Sequence, residues 1–458
     1  MLFRSQGLIG RYGTLDPSDA SSSERFSLST HYATKGDGWT FNASAYYIHS
    51  RMTLWNNFTH FLDDPINGDQ EEQYESRSTA GGQSSFNITQ SFGSIQNDVA
   101  LGAQLRYDDA YVNRKHTLHR VPLSYCSIAQ ASGPALQVPE AGGICNADQV
   151  HLLDLGPYVQ DTTHWTEWLR TVVGLREEYY RATDNSFTTG FQGGEHETLF
   201  QPKGSLILGP FAETEIYLSG GRGFHSDDVR GVFGTVPLEG VPGTAGKTPL
   251  LAPTTGVEIG VRSDIIPKLS MQLAVFQQDF NSELAYDADA GQDAASAPSR
   301  RQGVELSGAY HPWRWIELNT DLAASKARSR GDVTAFGLDG PYIANAPNFI
   351  GSFGVLIDNL GPWFGGLQWR KLGAYPIADG DKYPQDPGYS EFNIDAGYKI
   401  NAHLKVQLSV YNLFNTKADS SAYYYTSRIP GEPPDGVTGI QVHPLEPISG
   451  VLKVTALL

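Results

Sequence analysis

The chain has 458 residues and a formal net charge of -17, and this acidic balance excludes the basic stripe that a nucleic-acid partner needs. Charged residues make up only 18% of the chain, whereas glycine, tyrosine and phenylalanine are plentiful, which favours strands and turns over helices. No stretch approaches the roughly 18 consecutive apolar residues that a transmembrane helix needs.

The first predicted elements are two strands that follow Arg25. Apolar and polar residues alternate from Phe26 to Tyr32, and the alternation resumes after the sequence KGDG, from Trp39 to Tyr47. A period of two is that of a strand with one apolar and one polar face, and a short glycine-containing join predicts a hairpin. A long polar stretch, His49 to Gln73, is predicted to be a loop.

This unit of two strands, a short join and a long loop recurs along the chain. Short joins are predicted at the sequence SIQN and near His164, and further along at Gly209–Thr214, Ile265–Lys268, His311–Trp315, Asn359–Trp363 and Lys399–His403. Long polar loops are predicted at Asp109–Val150, Arg181–Glu197, Gly223–Ala252, Asp287–Arg300, Lys326–Ala346, Leu372–Gly388 and Lys417–Pro447.

The pattern predicts about 17 strands that run up and down, with short joins at one end and long loops at the other. This is typical of an all-β fold, a transmembrane antiparallel up-and-down β-barrel with short periplasmic turns and long extracellular loops. A soluble sandwich is the alternative, but it would mix loop lengths at both ends. One strand, Leu269–Phe280, loses its apolar face after Val275, and a β-bulge there would explain the change.

Aromatic residues are concentrated near the predicted strand ends, among them Trp165, Trp168, Trp313 and Trp363. They fit the two interfacial girdles of a membrane barrel, and ordinary enrichment of aromatic residues in strands is the alternative.

A strand with strict alternation is predicted from Leu404 to Tyr411, near the C-terminus. Continued alternation would place Asn412 on the lipid-facing side, where a polar amide is costly. We therefore expect a bulge or a sheltering partner at Asn412.

Three stretches resemble the C-terminal barrel of the TonB-dependent outer-membrane receptors. The tail contains the sequences YNLFN, SRIPGEP and HPLEP, which are similar to the family's penultimate strand, last loop and entry to the last strand. The sequence GRGFHSDDVRG, from Gly221 to Gly231, and the sequence SRRQGVE, which begins at Ser299, are similar to two further family segments.

The resemblance implies a barrel of about 22 strands whose lumen holds a separate plug domain, since a large barrel is otherwise an open pore. Residues 1–458 are therefore expected to be an incomplete receptor β-barrel domain with no plug domain, no energy-coupling segment and no signal peptide.

The implied parent protein is not an enzyme and needs no cofactor. It imports a ferric siderophore or similar large nutrient across the outer membrane of a Gram-negative bacterium with TonB-coupled energy. Its implied partners are outer-membrane lipid and lipopolysaccharide, the nutrient chelate, and the TonB complex through the missing N-terminal part. A passive porin-type channel and a surface-binding barrel are the alternatives.

No catalytic constellation is present. His116 and His119 have a spacing that metal ligands can use, but no glutamate lies between them and no amphipathic helix carries them, so both are interpreted as loop histidines and no metal site is predicted. Cys126 and Cys145 lie in one long loop on the outward side, where an oxidising compartment permits the disulfide that we predict. Two free thiols are the alternative.

Aromatic and basic loop residues are the candidates for binding a planar, partly apolar, often anionic chelate, because they stack and pair charges. The first set of candidates is Trp55, Phe58 and Phe61 in the first long loop, and the second set is Arg222, Phe224, His225 and Arg230 in the GRGFHSDDVRG segment. Alternatively, the first set packs within its own loop and the second set orders the base of a loop.

Overall fold

The computed structural model describes residues 9–128, 136–139, 144–233, 248–283, 285–287, 292–294 and 297–456. Its main feature is one antiparallel sheet of 18 strands, of which the short β5 pairs only with the end of β4. The other strands, here called the wall strands, each pair with the next wall strand along the chain. This confirms the predicted up-and-down order and the count of about 17.

The wall strands are β1 (Ala20–Gly36), β2 (Trp39–Asn56), β3 (Glu71–Phe92), β4 (Ile95–Leu118), β8 (Ile144–Thr166), β9 (Leu169–Ser186), β10 (Gln192–Phe211), β11 (Thr214–Ser226), β12 (Leu251–Ser263), β13 (Leu269–Phe280), β16 (Ser299–Trp313), β17 (Ile316–Ser329), β18 (Phe349–Leu360), β19 (Trp363–Leu372), β22 (Tyr389–Lys399), β23 (Leu404–Tyr411) and β26 (Ser449–Ala456).

Shorter elements lie in the long-loop layer. They are β5 (Val121–Pro122), β6 (Tyr125–Ile128), β7 (Leu136–Pro139), the five-residue helix α1 (Val229–Phe233), β14 (Ala285–Asp287), β15 (Gln292–Ala294), a 3₁₀ helix (Val333–Phe336), β20 (Tyr375–Pro376), β21 (Gln385–Asp386), β24 (Asp419–Ser427) and β25 (Val437–Pro444). No helix among the described residues is long and apolar enough to cross a membrane.

Alternation gives the wall an apolar outer face. In β12, Val257 and Ile259 are 56% and 53% exposed, although both are large apolar residues, while Glu258 between them points into the lumen. Exposed apolar residues recur in this way around the wall, as lipid contact requires.

Aromatic rings mark the short-turn end. Trp165, Trp168, Trp313 and Trp363 are each close to half exposed, and the ring of Trp313 stacks on that of Trp315 at 5.7 Å. Their shared level beside the turns favours the interfacial girdle over general strand enrichment.

Several strands run further than predicted into the long-loop layer. The predicted loop at Arg181–Glu197 is mostly the continuation of β9 and β10, with only residues 187–191 left as a loop. His116 likewise lies in β4 and not in a loop. Above the lipid both faces of a strand meet polar surroundings, so the ladder continues while the apolar alternation that reveals it does not.

The predicted bulge in β13 was wrong. Pairing of β13 with β12 and with β16 is continuous across Val275. The apolar residue that breaks the pattern, Phe276, points into the lumen over Gly303, where a Cβ would lie 2.8 Å from its ring. A glycine neighbour thus accommodates a ring on the polar face, and no extra residue is needed.

The two outermost strands of the sheet remain apart, but loops near them meet. Within the described residues no ladder joins β1 to β26. Above them, the amide of Phe61 donates to the carbonyl of Arg428 and the amide of Arg428 donates to the carbonyl of Thr59, both at 3.0 Å. Tyr425 also donates to the carbonyl of Phe58 at 3.2 Å. We call residues 58–62 and 425–428 the loop seam; it shows that the sheet curves until its ends approach.

Asn412 has the sheltering partners that the sequence requires. It is 1% exposed and has a positive φ of 48°, so the chain turns there. Its side-chain amide donates to the carbonyls of Thr416 and Glu446, at 3.1 and 2.8 Å, and its side-chain oxygen accepts from the amide of Thr416 at 2.8 Å. The side chain is therefore inside a turn and away from lipid.

Candidate functional site

The tip of the β11–β12 hairpin departs from the wall and covers part of the lumen. Pairing of β10 with β11 ends at Lys203–Gly221, whereas β11 and β12 stay paired up to Ser226–Leu251. Beyond this point, α1 and the start of β12 pack on the lumen face of β8 and β9, in an apolar cluster that contains Val150, Tyr180, Val229, Val232 and Leu251. The hairpin tip is therefore held against the inner wall by buried apolar contacts.

A cavity of about 340 Å³ lies between this tip and the inner wall. Its floor comes from lumen-facing residues of β3, β4, β8 and β9, and its cover comes from the end of β11 and α1. The lining includes Glu75, Arg77, Arg106, Asp108, Asp154, Tyr180, Phe224, Asp227, Asp228 and Arg230.

Each arginine of the cavity is held in a fork-shaped pair with a carboxylate. Arg77 donates twice to Glu75 at 2.9 Å, and Arg106 donates twice to Asp108 at 2.6 and 3.1 Å. Bidentate pairs of this kind fix the plane of the guanidinium. Arg77 also lies 3.8 Å from Asp108 through its Nη1, which links the two pairs.

The cover contributes the third pair, in which Arg230 donates to both oxygens of Asp228 at 3.0 and 2.6 Å. Burial by itself would raise the pKa of Asp228, but the attraction of Arg230, its hydrogen bonds and the charge of Arg77 together outweigh burial and leave that pKa below its ordinary value. Asp228 is therefore ionised at neutral pH and continues to orient Arg230.

The cavity suits a ligand that both donates and accepts hydrogen bonds. Its lining includes oriented guanidinium groups and carboxylates in alternation, together with the rings of Tyr180 and Phe224. A partly aromatic, polar molecule could stack on the rings and bridge the charges, whereas a purely anionic group would face the neighbouring carboxylates.

The predicted ligand residues fall into two separate places. Phe224 and Arg230 line the cavity, while Arg222 and His225 are exposed on the hairpin beside it.

Of the first set, Trp55 lies in β2 and not in the predicted loop, and it donates to Glu72 at 3.2 Å on the opposite face of the sheet from the cavity. The backbones of Phe58 and Phe61 belong to the loop seam. The structure thus brings only the second set to the cavity.

Arg77, Arg106 and Asp108 were missed by sequence reasoning, although a signal for them exists. The spacing of an arginine two residues from a carboxylate occurs at Glu75–Arg77, Arg106–Asp108 and Arg176–Glu178. In a strand, residues two apart share a face, so such pairs mark a lumen-facing charge cluster.

The predicted cysteines and His116 make contacts that stabilise the fold. Cys126 and Cys145 form a disulfide with their Cα atoms 5.4 Å apart. The Nε2 of His116 contacts the carbonyl of Gly68 at 2.7 Å, and His119 lies in the turn after β4. Throughout the described part of the chain, no three His, Cys, Asp or Glu side chains gather as metal ligands.

Comparisons with known proteins find a matching family and a similar sequence. The family model described as TonB dependent receptor-like, beta-barrel matches residues 3–413. A curated relative, the probable TonB-dependent receptor BfrD of Bordetella pertussis, is 23% identical over 316 residues, which cover 62% of this chain and 40% of the relative.

Solved structures show the same fold. The ferric citrate transporter FecA aligns with a TM-score of 0.72 and 14% identity, covering 99% of this chain and 64% of that one. The ferric-catecholate import receptor Fiu of E. coli K12 aligns with a TM-score of 0.69 and 18% identity, covering 97% of this chain and 65% of that one. The chain thus spans less than two thirds of the length of these relatives.

Proposed function

Because the chain belongs to the family of TonB-dependent receptor β-barrels, which sit in the Gram-negative outer membrane, we propose that its parent receptor imports a ferric siderophore or a similar large nutrient. The observation that carries this proposal is the family match over residues 3–413. Support comes from structural relatives that are named as ferric citrate and ferric-catecholate receptors.

Energy coupling by the TonB complex is part of the proposal. In the proposed receptor, the contact with that complex and the plug that gates the lumen come from segments outside these 458 residues. Uptake would then require TonB, which separates this receptor from a passive channel.

The cavity under the hairpin tip is the proposed cargo-contact region of this chain. Phe224 offers a ring for stacking, and Arg230, Arg77 and Arg106 offer oriented N–H groups. Arg222 and His225 lie beside the cavity, where they would meet cargo on entry. Trp55, Phe58 and Phe61 stay predictions without support from the cavity's placement.

Uptake of iron by living cells tests the proposal. The complete gene product is expressed in a host that lacks its own siderophore receptors, with and without functional TonB, and is supplied with a panel of radiolabelled ferric chelates and with cobalamin. We expect saturable, TonB-dependent uptake of at least one ferric chelate. Uptake that is equal without TonB, or surface binding without uptake, would contradict the proposal.

The cavity is tested by replacing Arg230 with glutamine and Phe224 with alanine in the same assay. Loss of one fork-shaped contact or one stacking ring should weaken cargo binding about tenfold or more. Arg51→Gln is the matched control, because Arg51 also pairs with a carboxylate, Glu24 at 3.0 Å, but lies on the outer face of the wall. If all three variants bound the cargo as tightly as the unaltered protein, the cavity would be removed from the proposal. The proposed transport function would remain.

A further inference from the structure

The cavity under the hairpin tip carries more negative than positive formal charge. Five carboxylates and three arginines are among the described residues that line it, which leaves a surplus of two negative charges. A concave site with one dominant sign of charge concentrates ions of the opposite sign. The carboxylates belong to Glu75, Asp108, Asp154, Asp227 and Asp228, and the arginines are Arg77, Arg106 and Arg230.

The three arginines of the cavity are already engaged by carboxylates of the protein in the fork-shaped pairs. Asp108 serves two of these arginines, because it also lies 3.8 Å from the Nη1 atom of Arg77. Each pair cancels in formal charge, so the surplus of negative charge lies outside the pairs.

Asp154 is a lining carboxylate outside these pairs. It lies on the lumen face of β8, directly opposite Tyr180 of β9. The two arginines that attract it, Arg106 and Arg176, are each bidentate with a different carboxylate. Among the described residues, none donates a hydrogen bond to its buried Oδ1 atom. Asp154 therefore faces the cavity without a cation of its own.

The protonation of Asp154 agrees with a missing positive charge. This residue lies above the apolar band, because Glu177, three residues nearer the short turns than Tyr180, is already exposed on the outward face. Burial and the neighbouring carboxyl of Glu178 raise the pKa of Asp154, and the arginines nearby do not offset these two effects. A cation bound in the cavity would supply the charge that stabilises the ionised form.

The cover of the cavity is also short of positive charge. Asp148 lies two residues above Val150 on the same face of β8 and is fully buried. The arginine that attracts Asp148 is Arg230, which is already bidentate with Asp228. One guanidinium group thus faces two carboxylates at this level.

The rings and the volume of the cavity favour an organic cation. Phe224 on the cover and Tyr180 on the inner wall line the space, and the face of an aromatic ring attracts an ammonium or guanidinium group. The volume of about 340 Å³ is at the lower end of the range of small-molecule sites, roughly 300–1,000 Å³. The cavity therefore accommodates one end of a large molecule and not the whole of it.

We propose that the cavity binds a cationic group of the imported molecule, an ammonium or guanidinium group, with Asp154 as its counter-ion and Phe224 as its ring partner. Acceptor atoms of the same molecule face the arginines. The proposal rests on the proposed function and deepens it, because it assigns the cargo to the chelates that carry a free basic group and not to the purely anionic ones.

The reaction of a thiol placed in the cavity measures the charge preference without transport. Ser226 lines the cavity, and Ser226→Cys is a small change; the two natural cysteines of the chain form a disulfide. The complete gene product, in neutral detergent and mildly alkaline buffer of physiological salt, is treated with a trimethylammonium-ethyl or a sulfonatoethyl thiosulfonate. Relative to a small free thiol, the cationic reagent should react about tenfold faster than the anionic one. The protein without the new cysteine gives the background rate.

Removal of the proposed counter-ion should abolish this preference. Asp154→Asn in the Ser226→Cys protein should lower the ratio of the two rates about tenfold. Asp161→Asn is the matched control, because it removes the same charge from the same strand about 23 Å nearer the short turns, and it should change the ratio less than about twofold. Heat-resistant mobility on gels checks that both variants fold. A ratio equal to that of the free thiol, or an equal drop in both variants, would overturn the proposal.

Protection of the same thiol separates an organic cation from an inorganic one. Phenethylammonium should slow the reaction of the Ser226→Cys thiol, whereas phenethyl alcohol, which has the same ring without the charge, should not. Equal protection by the alcohol, no protection by either compound, or stronger protection by magnesium ions would each overturn the proposal. Because none of these measurements uses transport, a failure of iron uptake would remove the proposed transport function without changing their result.

Discussion

The wall and the long-loop layer are held together in different ways. The wall relies on continuous backbone ladders between strands that follow each other in sequence, such as the pairing of β3 with β4 from Glu71–His116 to Phe92–Ile95. The loop layer relies on a few buried side chains that hold backbone groups. The stability of the wall is therefore spread over many residues, each of which contributes a small part. The structure of the loop layer depends on single residues.

Asp69 illustrates the second kind of support. Its carboxylate accepts hydrogen bonds from the hydroxyl of Thr59 at 2.8 Å and from the amides of Leu62, Asp63 and Asp64, the last at 2.6 Å. One side chain thus fixes the shape of the first long loop and, through Thr59, supports the loop seam. Four changes, from the largest expected effect to the smallest, test this contrast.

Replacing Val275 with arginine places a charge on the lipid face of β13 and should destabilise the whole wall by about 2–4 kcal/mol. Urea unfolding of the protein in lipid vesicles measures the effect. Gln277→Arg is the control, because Gln277 is two residues nearer the loop layer on the same face, so its cost should fall to about 1 kcal/mol or less. An equal loss of stability in the two variants would show that the lipid-facing apolar band does not lie where it is assigned here.

Replacing Cys126 and Cys145 with serine removes the disulfide and should loosen its loop by about 3 kcal/mol, because the bridge closes a loop of 19 residues. Faster cleavage by a protease between residues 126 and 145 measures this. The urea midpoint of the wall should stay unchanged, in contrast to the Val275 variant. A shift of that midpoint would contradict the independence of the two regions.

Replacing Asn412 with alanine should cost about 1–3 kcal/mol, because the carbonyls of Thr416 and Glu446 and the amide of Thr416 lose their buried partner. Hydrogen exchange of residues 412–418 and 446–449 reports the loss. Asn412→Gly retains the positive φ without strain, so it isolates the amide's contribution. If the glycine variant exchanged as slowly as the unaltered protein, the side-chain contacts would be unimportant.

The smallest expected effect is the loss of stability of the loop seam at low pH. Burial lowers the pKa of His60 below its ordinary value, although Asp69, Asp16 and Glu432 attract the charged form. A lowered histidine pKa means that the folded seam disfavours the proton, so its stability is complete above about pH 6.5 and declines as pH falls below that value. Hydrogen exchange at residues 58–62 should therefore rise between about pH 6.5 and 5. His60→Gln should remove this dependence.

The contrast also explains which features the sequence could predict. Alternation of apolar and polar residues identified the wall strands where one face meets lipid, and the unfavourable position of Asn412 correctly called for a sheltering partner. Alternation failed above the lipid, where β4 and β9 continue with two polar faces, and at Phe276, whose ring depends on a glycine of the next strand.

The loop layer and the cavity depend on long-range proximity that no local pattern records. Arg428 and Phe61 are 367 residues apart in sequence, and only the curvature of the whole sheet brings them together. Phe224 and Arg230 were identified by their residue types, but their place under an inward-folded hairpin tip follows from β11 parting from β10. The arginines of β3 and β4 that complete the cavity required knowledge of the register.

The turn at Asn412 also sets the register of the last strand. Asn412 holds the carbonyl of Glu446 and Asn415 accepts from the amide of Ile448, so the residue that begins β26 is specified before the ladder starts. A slip of one residue would exchange the exposed Leu452 and Val454 for Lys453 and Thr455 on the lipid side. The side chains of Asn412 and Asn415 thus determine which residue begins β26. They disfavour a shift of the register by one residue, which the backbone hydrogen bonds alone would allow.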